Sequence, residues 1–180
     1  MDRPTLAAQI NARCRLTGTF TLRSGQIADY YFDKYQFEGE PKLLAEVAAQ
    51  AIALIPAGTE VLAGLELGGV PIATALSLGT GLEAVFVRKE AKGYGTAKLA
   101  EGGLLAGRRV LVVEDVITTG GQVAMSTEDL RGLGPIVEDV LCVIDRSQGR
   151  HEALTAAGLK VIALFTTADL DAAVSANNGM

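Results

Sequence analysis

The chain has a single histidine, His151, and only two cysteines, Cys14 and Cys142, far apart in the sequence. With no Cys-x-x-Cys and no second histidine, a structural zinc site is not expected. The two thiols fit a reducing compartment in which both serve as small core residues. There is no Gly-x-Ser-x-Gly elbow to give a Ser-His-Asp machine its nucleophile, and no Gly-x-x-x-x-Gly-Lys-Ser/Thr to make a Walker ATPase. No apolar run approaches the roughly eighteen residues of a membrane span. The opening MDRPTLAAQI carries an acid at position 2 and no apolar stretch of signal-peptide length, so a cytoplasmic location is expected. Basic residues are in deficit, 16 against 21 acids, for a net charge of −5, and nothing in that balance reads as a nucleic-acid surface. What is present is ordinary for one globular domain with one core: 180 residues, 49% hydrophobic and 21% charged.

Apolar periodicity predicts a helix over 4–16, opened by Pro4, then two short strands, TFTL and DYYFDKY, around a turn at Ser24-Gly25. PKLLAEVAAQAIALI at 41–55 predicts a second helix. From there strands and helices alternate: EVLAGL, the helix VPIATALSL, LEAVFVRK, RVLVVED, the helix GQVAMSTEDLRGL, IVEDVLCVID, the helix HEALTAAG, LKVIALF and a final helix TADLDAAVSA. Buried Val/Leu-rich strands separated by helices imply an α/β fold with a mostly parallel sheet. Ligands of such sheets lie at the carboxyl ends of the strands. One stretch, 89–107, lacks periodicity and holds five glycines and three lysines. A loop of that length in a compact domain is usually functional or disordered, and a mobile surface hairpin is the bland alternative. Gly79-x-Gly81-x-x-Ala84 has the letters of a dinucleotide fingerprint but follows a helix and precedes a strand, the reverse of the required context.

The strongest signal is VLVVEDVITTGGQ at 110–122. Four apolar residues form a buried strand that ends in Glu114 and Asp115. Thr118, Thr119, Gly120 and Gly121 then lead into a helix. A glycine-rich turn exposes successive backbone N–H groups, and the helix N-terminus adds partial positive charge, so the pair can bind phosphate without lysine. The acids would repel phosphate but suit sugar hydroxyls and a developing cation. A phosphate cup beside a diol cup describes a ribose 5-phosphate site. Read without function, the segment is a strand followed by a helix cap, since threonine and aspartate both cap well.

VLVVEDVITTGG resembles the PRPP-binding motif of the type I phosphoribosyltransferases. FTLRSGQIADYYFDK at 20–34, VRKEAKGYGTAKLAEGG at 87–103 and VIDRSQG at 143–149 resemble the N-terminal hood, the mobile catalytic loop and the Asp-Arg strand end of the orotate branch of that family. The resemblance covers nearly the whole chain. It implies the type I phosphoribosyltransferase fold: a mostly parallel central sheet flanked by helices, a small N-terminal hood mainly over 1–40, a mobile loop at about 89–107, and a single domain over 1–180. The implied activity is transfer of the 5-phosphoribosyl group from PRPP to orotate in pyrimidine (UMP) biosynthesis, with Mg²⁺ as cofactor and a homodimer with shared active sites.

Residue by residue, the resemblance implies catalytic roles for Lys92, Asp115 and Glu114, the two acids holding the ribose hydroxyls. Thr118, Thr119, Gly120, Gly121 and Gln122 would cradle the 5-phosphate, and Val116 and Ile117 before them would belong to the PRPP site. Arg23, Arg88, Lys89, Lys92 and Tyr94 would complete the PRPP site, with Lys89 and Lys92 lent by the partner subunit. Leu67-Gly68-Gly69 would be the diphosphate loop. Orotate would meet Tyr31, Phe32, Thr118 and Arg146, while Mg²⁺ would be held mainly by substrate oxygens rather than by protein ligands. Tyr94 stands where many members have histidine, Gln122 where many have a hydroxyl residue, and LELGGVP lacks a lysine that some members carry. Alternatives are a phosphoribosyltransferase for another base, and a PRPP-sensing regulator without catalysis. Arg146 could instead pair with Asp145 or Glu114, and His151, Cys14 and Cys142 read as structural.

Overall fold

The computed structural model describes residues 1–21, 25–89 and 99–177. Helix α1 (Arg3–Cys14) opens on Asp2, whose carboxylate accepts the Thr5 N–H at 2.8 Å, and closes two residues earlier than expected. Strands β1 (Arg15–Thr21) and β2 (Ile27–Phe32) form an antiparallel ribbon. Gly25 takes a left-handed φ of 82° in their connection; Ser24 lies outside the described residues.

DYYFDKY does not run on as a strand. The chain leaves β2 at Phe32 and makes one helical turn, α2 (Tyr35–Glu38). Asp33 directs the change: its N–H donates to the Cys14 carbonyl at 2.8 Å, and its carboxylate accepts the Tyr35 N–H and the Gln36 amide. An acid just before a turn favours helix initiation in this way.

Helix α3 (Pro41–Ala51) leads into the main sheet. That sheet has the order β5-β4-β3-β6-β7-β8, built from β3 (Val61–Leu65), β4 (Glu83–Val87), β5 (Ala100–Glu101), β6 (Val110–Ile117), β7 (Asp139–Asp145) and β8 (Lys160–Thr166). All pairings are parallel except β4 with β5, as expected for strands joined by helices. The short β5 lies inside the stretch expected to lack structure. Helices α4 (Glu66–Thr80), α5 (Gly121–Arg131), α6 (Glu152–Ala156) and α7 (Thr167–Asn177) supply the crossovers and the C-terminal cover. Strand order reverses between β3 and β6, and the crevice at that reversal is where such sheets take ligands.

Both faces of the sheet are apolar. Leu62, Leu111 and Val113 pack into a layer with α1, α3 and α4, while Val61, Ala63, Val110 and Val112 pack into the layer containing Val123 and Leu130 of α5. Cys14 and Cys142 are buried, free thiols within these layers. Among the described residues no helix is long and apolar enough to cross a membrane.

Helix α4 begins four residues before the Val70-Pro71 pair that marked its expected start, and Pro71 sits inside it. Close packing explains the early start. A Cβ on Gly69 would stand 2.3 Å from the Val113 carbonyl oxygen, and one on Gly64 of β3 would stand 2.7 Å from the Gly69 carbonyl oxygen. Gly69→Ala should therefore force α4 off the sheet and cost roughly 1–3 kcal/mol. Gly121→Ala, whose Cβ meets nothing nearer than 4.0 Å, should leave stability unchanged or slightly raised. Urea midpoints at constant m-value distinguish the two; equal midpoints would mean that α4 does not seat on β6 this closely.

Candidate active site

β6 delivers its two acids in opposite directions because successive side chains of a strand alternate. Glu114 lines a cleft of about 240 Å³ together with Glu66, Thr118, Thr119, Gly120 and Gln122. Asp115 points into the opposite layer and is fully buried. There its Oδ2 meets Lys34 Nζ at 2.5 Å, and its Oδ1 accepts the Val116 N–H. Lys34 precedes α2, so this ion pair joins the hood to the core. The sequence reading missed Lys34, because only the turn after β2 brings it to a partner so distant in the chain.

The glycine-rich loop closes the cleft on the α5 side. Gly120 is the N-cap of α5 at φ 74°, and no side chain caps the helix. A Cβ there would lie 2.7 Å from Leu154 of α6, so conformation and packing both demand glycine. The first-turn N–H groups of α5 thus remain available to an anion. Thr118 and Thr119 are exposed, whereas Ile117 is 1% exposed and belongs to the core; the Ile117 carbonyl accepts the Arg146 N–H. The Gln122 amide donates to Ser126 Oγ within α5 at 3.2 Å.

Two further hollows adjoin this cleft. One, of about 470 Å³, shares Glu66 and is lined by Leu67, Arg88 and Lys89. The other, of about 490 Å³, shares Thr118 and Thr119 and is lined by Arg146, Ser147 and Arg150. The structure therefore gathers Arg88, Lys89, Glu114, Thr118, Thr119 and Arg146 along one edge of the sheet. The Arg146 guanidinium lies 5.6 Å from the centre of the Phe32 ring, a cation–π distance. Among the described residues Arg146 pairs with neither Asp145 nor Glu114. Asp145 instead accepts the Ser147 N–H and meets His151 Nε2 at 2.9 Å. Tyr31 is half exposed and packs on Phe20.

Arg23, Lys92 and Tyr94 lie outside the described residues. Leu67-Gly68-Gly69 is not a free loop but the first turn of α4, entered through Glu66 at the strained φ of 54°. A Cβ on Gly68 would fall 2.0 Å from Asp115 Oδ2. Glycine is required there to let the helix pass over a buried carboxylate.

Electrostatics follow from burial. Desolvation pushes the Glu114 carboxyl up to about 9, reinforced by the neighbouring Asp115. Asp115 is held below the usual carboxylate range: burial opposes this, but hydrogen bonding from its neighbours and the Lys34 ammonium outweighs it. Burial alone would lower Lys34; Asp115 and Glu114 raise it instead.

Residues 36–160 match the family described as the phosphoribosyl transferase domain. The orotate phosphoribosyltransferase of Nocardioides sp. is 59% identical over 169 residues, covering 94% of each chain. That of Methanocella arvoryzae is 44% identical, covering 85% of this chain and 87% of its own. A crystal structure of Mycobacterium tuberculosis H37Rv orotate phosphoribosyltransferase in complex with 5-phospho-α-D-ribosyl 1-diphosphate (PRPP) superposes with a TM-score of 0.81. It is 33% identical and covers 95% of this chain and 99% of its own. The fold and the cleft define a phosphoribosyltransferase. Within that family the chain belongs to the orotate phosphoribosyltransferases.

Removing Lys34 strands a buried carboxylate. Lys34→Ala should cost about 1–3 kcal/mol near neutral pH, a fully buried pair's value discounted because Lys34 is 31% exposed. Asp115 has a depressed folded-state value, so its contribution is present above the unfolded carboxylate range and is lost as pH falls through the folded one. The stability gap between wild type and variant should therefore narrow on acidification. A gap that is constant from neutral pH to about pH 3 would rule out the ion pair as its source.

Proposed function

We propose that this chain transfers the 5-phosphoribosyl group of PRPP to orotate, releasing diphosphate and forming orotidine 5-phosphate for UMP synthesis. The observation that carries the reading is the uncapped, glycine-entered N-terminus of α5 sharing one cleft with Glu114. The cleft stands between a hollow lined by Arg88 and Lys89, with Glu66 and Glu101, and another lined by Arg146 and Arg150.

Thr118 to Gln122 cradle the 5-phosphate, and Val116 and Ile117 hold the loop to the sheet, the Val116 N–H donating to Asp115 and the Ile117 carbonyl accepting from Arg146. Glu114 takes ribose hydroxyls directly. Asp115, also assigned to the ribose, is buried with Lys34 in the opposite layer and acts on the sugar site from beneath. Arg88 and Lys89 neutralise the departing diphosphate together with Arg23 and Lys92, while Tyr94 donates one hydrogen bond. Lys89 lines this chain's own hollow rather than the partner's as expected; Arg23, Lys92 and Tyr94 come from outside the described residues. The first turn of α4 offers it backbone N–H groups. Tyr31, Phe32 and Thr118 border the base, and Arg146 takes its carboxylate. Bond breaking at the anomeric carbon leaves a cationic sugar, which the acids stabilise while a ring nitrogen of orotate attacks. No enzyme nucleophile is required.

The cleft's oxygen donors, the Glu66 and Glu114 carboxyls and two threonine hydroxyls among them, suit a hard cation arriving with substrate. Among the described residues no group of three or more His, Cys, Asp or Glu side chains is placed to hold a metal. When bound, Mg²⁺ supplies charge neutralisation on the diphosphate.

Loss of orotate absorbance on adding PRPP and Mg²⁺, with uracil, hypoxanthine and adenine as controls, tests the reaction. Hypoxanthine or adenine turning over in place of orotate would establish a purine enzyme. Binding of PRPP without turnover of any base would establish a sensor. Uracil lacks the carboxylate assigned to Arg146, so it should fall short by about 2–4 kcal/mol, roughly 30- to 1000-fold in kcat/KM. Arg146→Ala should narrow that gap, and equal turnover of both bases in the wild type would sink the assignment.

A homodimer sharing its sites makes a separate prediction. Lys92→Ala and Glu114→Ala should each be nearly inactive. Refolded together in equal amounts, they give about half hybrid dimers, each with one fully native site, and roughly a quarter of wild-type activity returns. If each loop serves its own subunit, hybrids confirmed by native mass measurement recover nothing.

A further inference from the structure

Glu38 ends α2 with only 7% of its surface exposed, and among the described residues neither carboxyl oxygen meets an N–H or O–H donor. The polar group it faces is the Asp115 carboxyl, within hydrogen-bonding reach. The one cation in the cluster, Lys34, is already on Asp115 Oδ2 at 2.5 Å. Two buried carboxyl groups in contact cannot both be ionised beside a single ammonium without leaving one charge uncompensated.

We propose that Glu38 is a positioning residue for the phosphoribosyl transfer. It keeps its proton near neutral pH and donates it to Asp115, so that Glu38, Asp115 and Lys34 form one charge-balanced unit locking α2 to β6 beneath the ribose site. The functional half of this proposal rests on the reading of the cleft given above.

The surroundings favour the protonated form from every side. β6 presents Asp115 and, beyond it, Glu114; the turn before α2 presents Asp33 and Lys34. α1 presents the Cys14 thiol, which burial pushes up to about 12, so it stays neutral. α3 contributes the apolar Leu43 and Val47 to this layer, and α4 contributes Gly68, which has no side chain. Burial is the first cause raising Glu38, to about 9, and Asp115 adds to it; only Lys34 acts in the opposite sense. A folded-state value above the unfolded one means that folding takes up a proton. The associated stability is complete below the unfolded value of about 4.5 and is lost as pH rises towards about 9.

The test compares full-length wild type with Glu38→Gln and Glu38→Ala. The infrared difference between wild type and Glu38→Gln, in ligand-free protein near neutral pH, should contain the carbonyl stretch of a protonated carboxylic acid. Raising the pH should remove that band from the wild type. Glu38→Gln keeps a donor to Asp115, so it should hold kcat within about threefold of wild type, while its stability falls less steeply as pH rises. Glu38→Ala should lower kcat at least about tenfold with a smaller change in KM for PRPP. Absence of the band, or a Glu38→Gln variant as impaired as Glu38→Ala, would overturn the proposal. If Glu38→Ala does not fold, the infrared and Glu38→Gln results still decide it. A band present in a protein that turns over no orotate would instead count against the transferase reading and leave the proton on Glu38 standing.

Discussion

Adjacent acids at the end of a buried parallel strand are sent to opposite faces of the sheet by the pleat. For Glu114 and Asp115 this means one carboxyl in the cleft and one in the core. A carboxylate with no exposed surface needs a counter-charge, and Lys34 supplies it. Lys34 reaches that position because β2 stops at Phe32 and Asp33 turns the chain into α2. The attachment of the hood to the sheet thus follows from an electrostatic requirement of the core, and Phe32 is brought beside Arg146 as a consequence.

The same carboxylate governs the helix above it. α4 starts immediately after β3, with Leu65 the last strand residue and Glu66 the first helical one. The turn is achieved by a positive φ at Glu66, costly for a residue with a side chain. Gly64, Gly68 and Gly69 remove every Cβ that would hold α4 away from β3 and β6. The backbone N–H groups of this first turn are thereby fixed at the sheet edge, between the Glu114 cleft and the hollow of Arg88 and Lys89.

Much of this was legible in the residues. Buried runs such as VLVV and VLCVI mark parallel strands, and TTGG after the strand marks the glycine entry to α5, because both signals are local. α2 was not legible, since DYYFDKY alternates as a strand does and only the Asp33 hydrogen bonds divert it. The start of α4 was hidden because Pro71 resembles a first-turn proline, while the glycines before it have low helix propensity. Their presence is explained by what crosses beneath them, not by their own conformation. Lys34 and Glu38 carry no sequence signal at all: their importance comes from a buried partner on a strand far along the chain.

The acids at the end of β6 and in α2, beside a site for a polyanion, look contradictory until burial is counted. Asp115 is the acid held ionised, and Lys34 cancels its charge. Glu114 and Glu38 are both raised well above the ordinary carboxyl range, so in the unliganded protein they add little repulsion against an incoming phosphate. A neutral carboxyl still exchanges hydrogen bonds with a sugar hydroxyl. The low-dielectric setting that raises the Glu114 carboxyl also makes its ionised form respond strongly to a nearby positive charge. A carboxyl so placed is quiet towards the anionic substrate and responsive to the cationic sugar that forms from it. Burial at the end of β6 provides that difference, which two solvated acids would not.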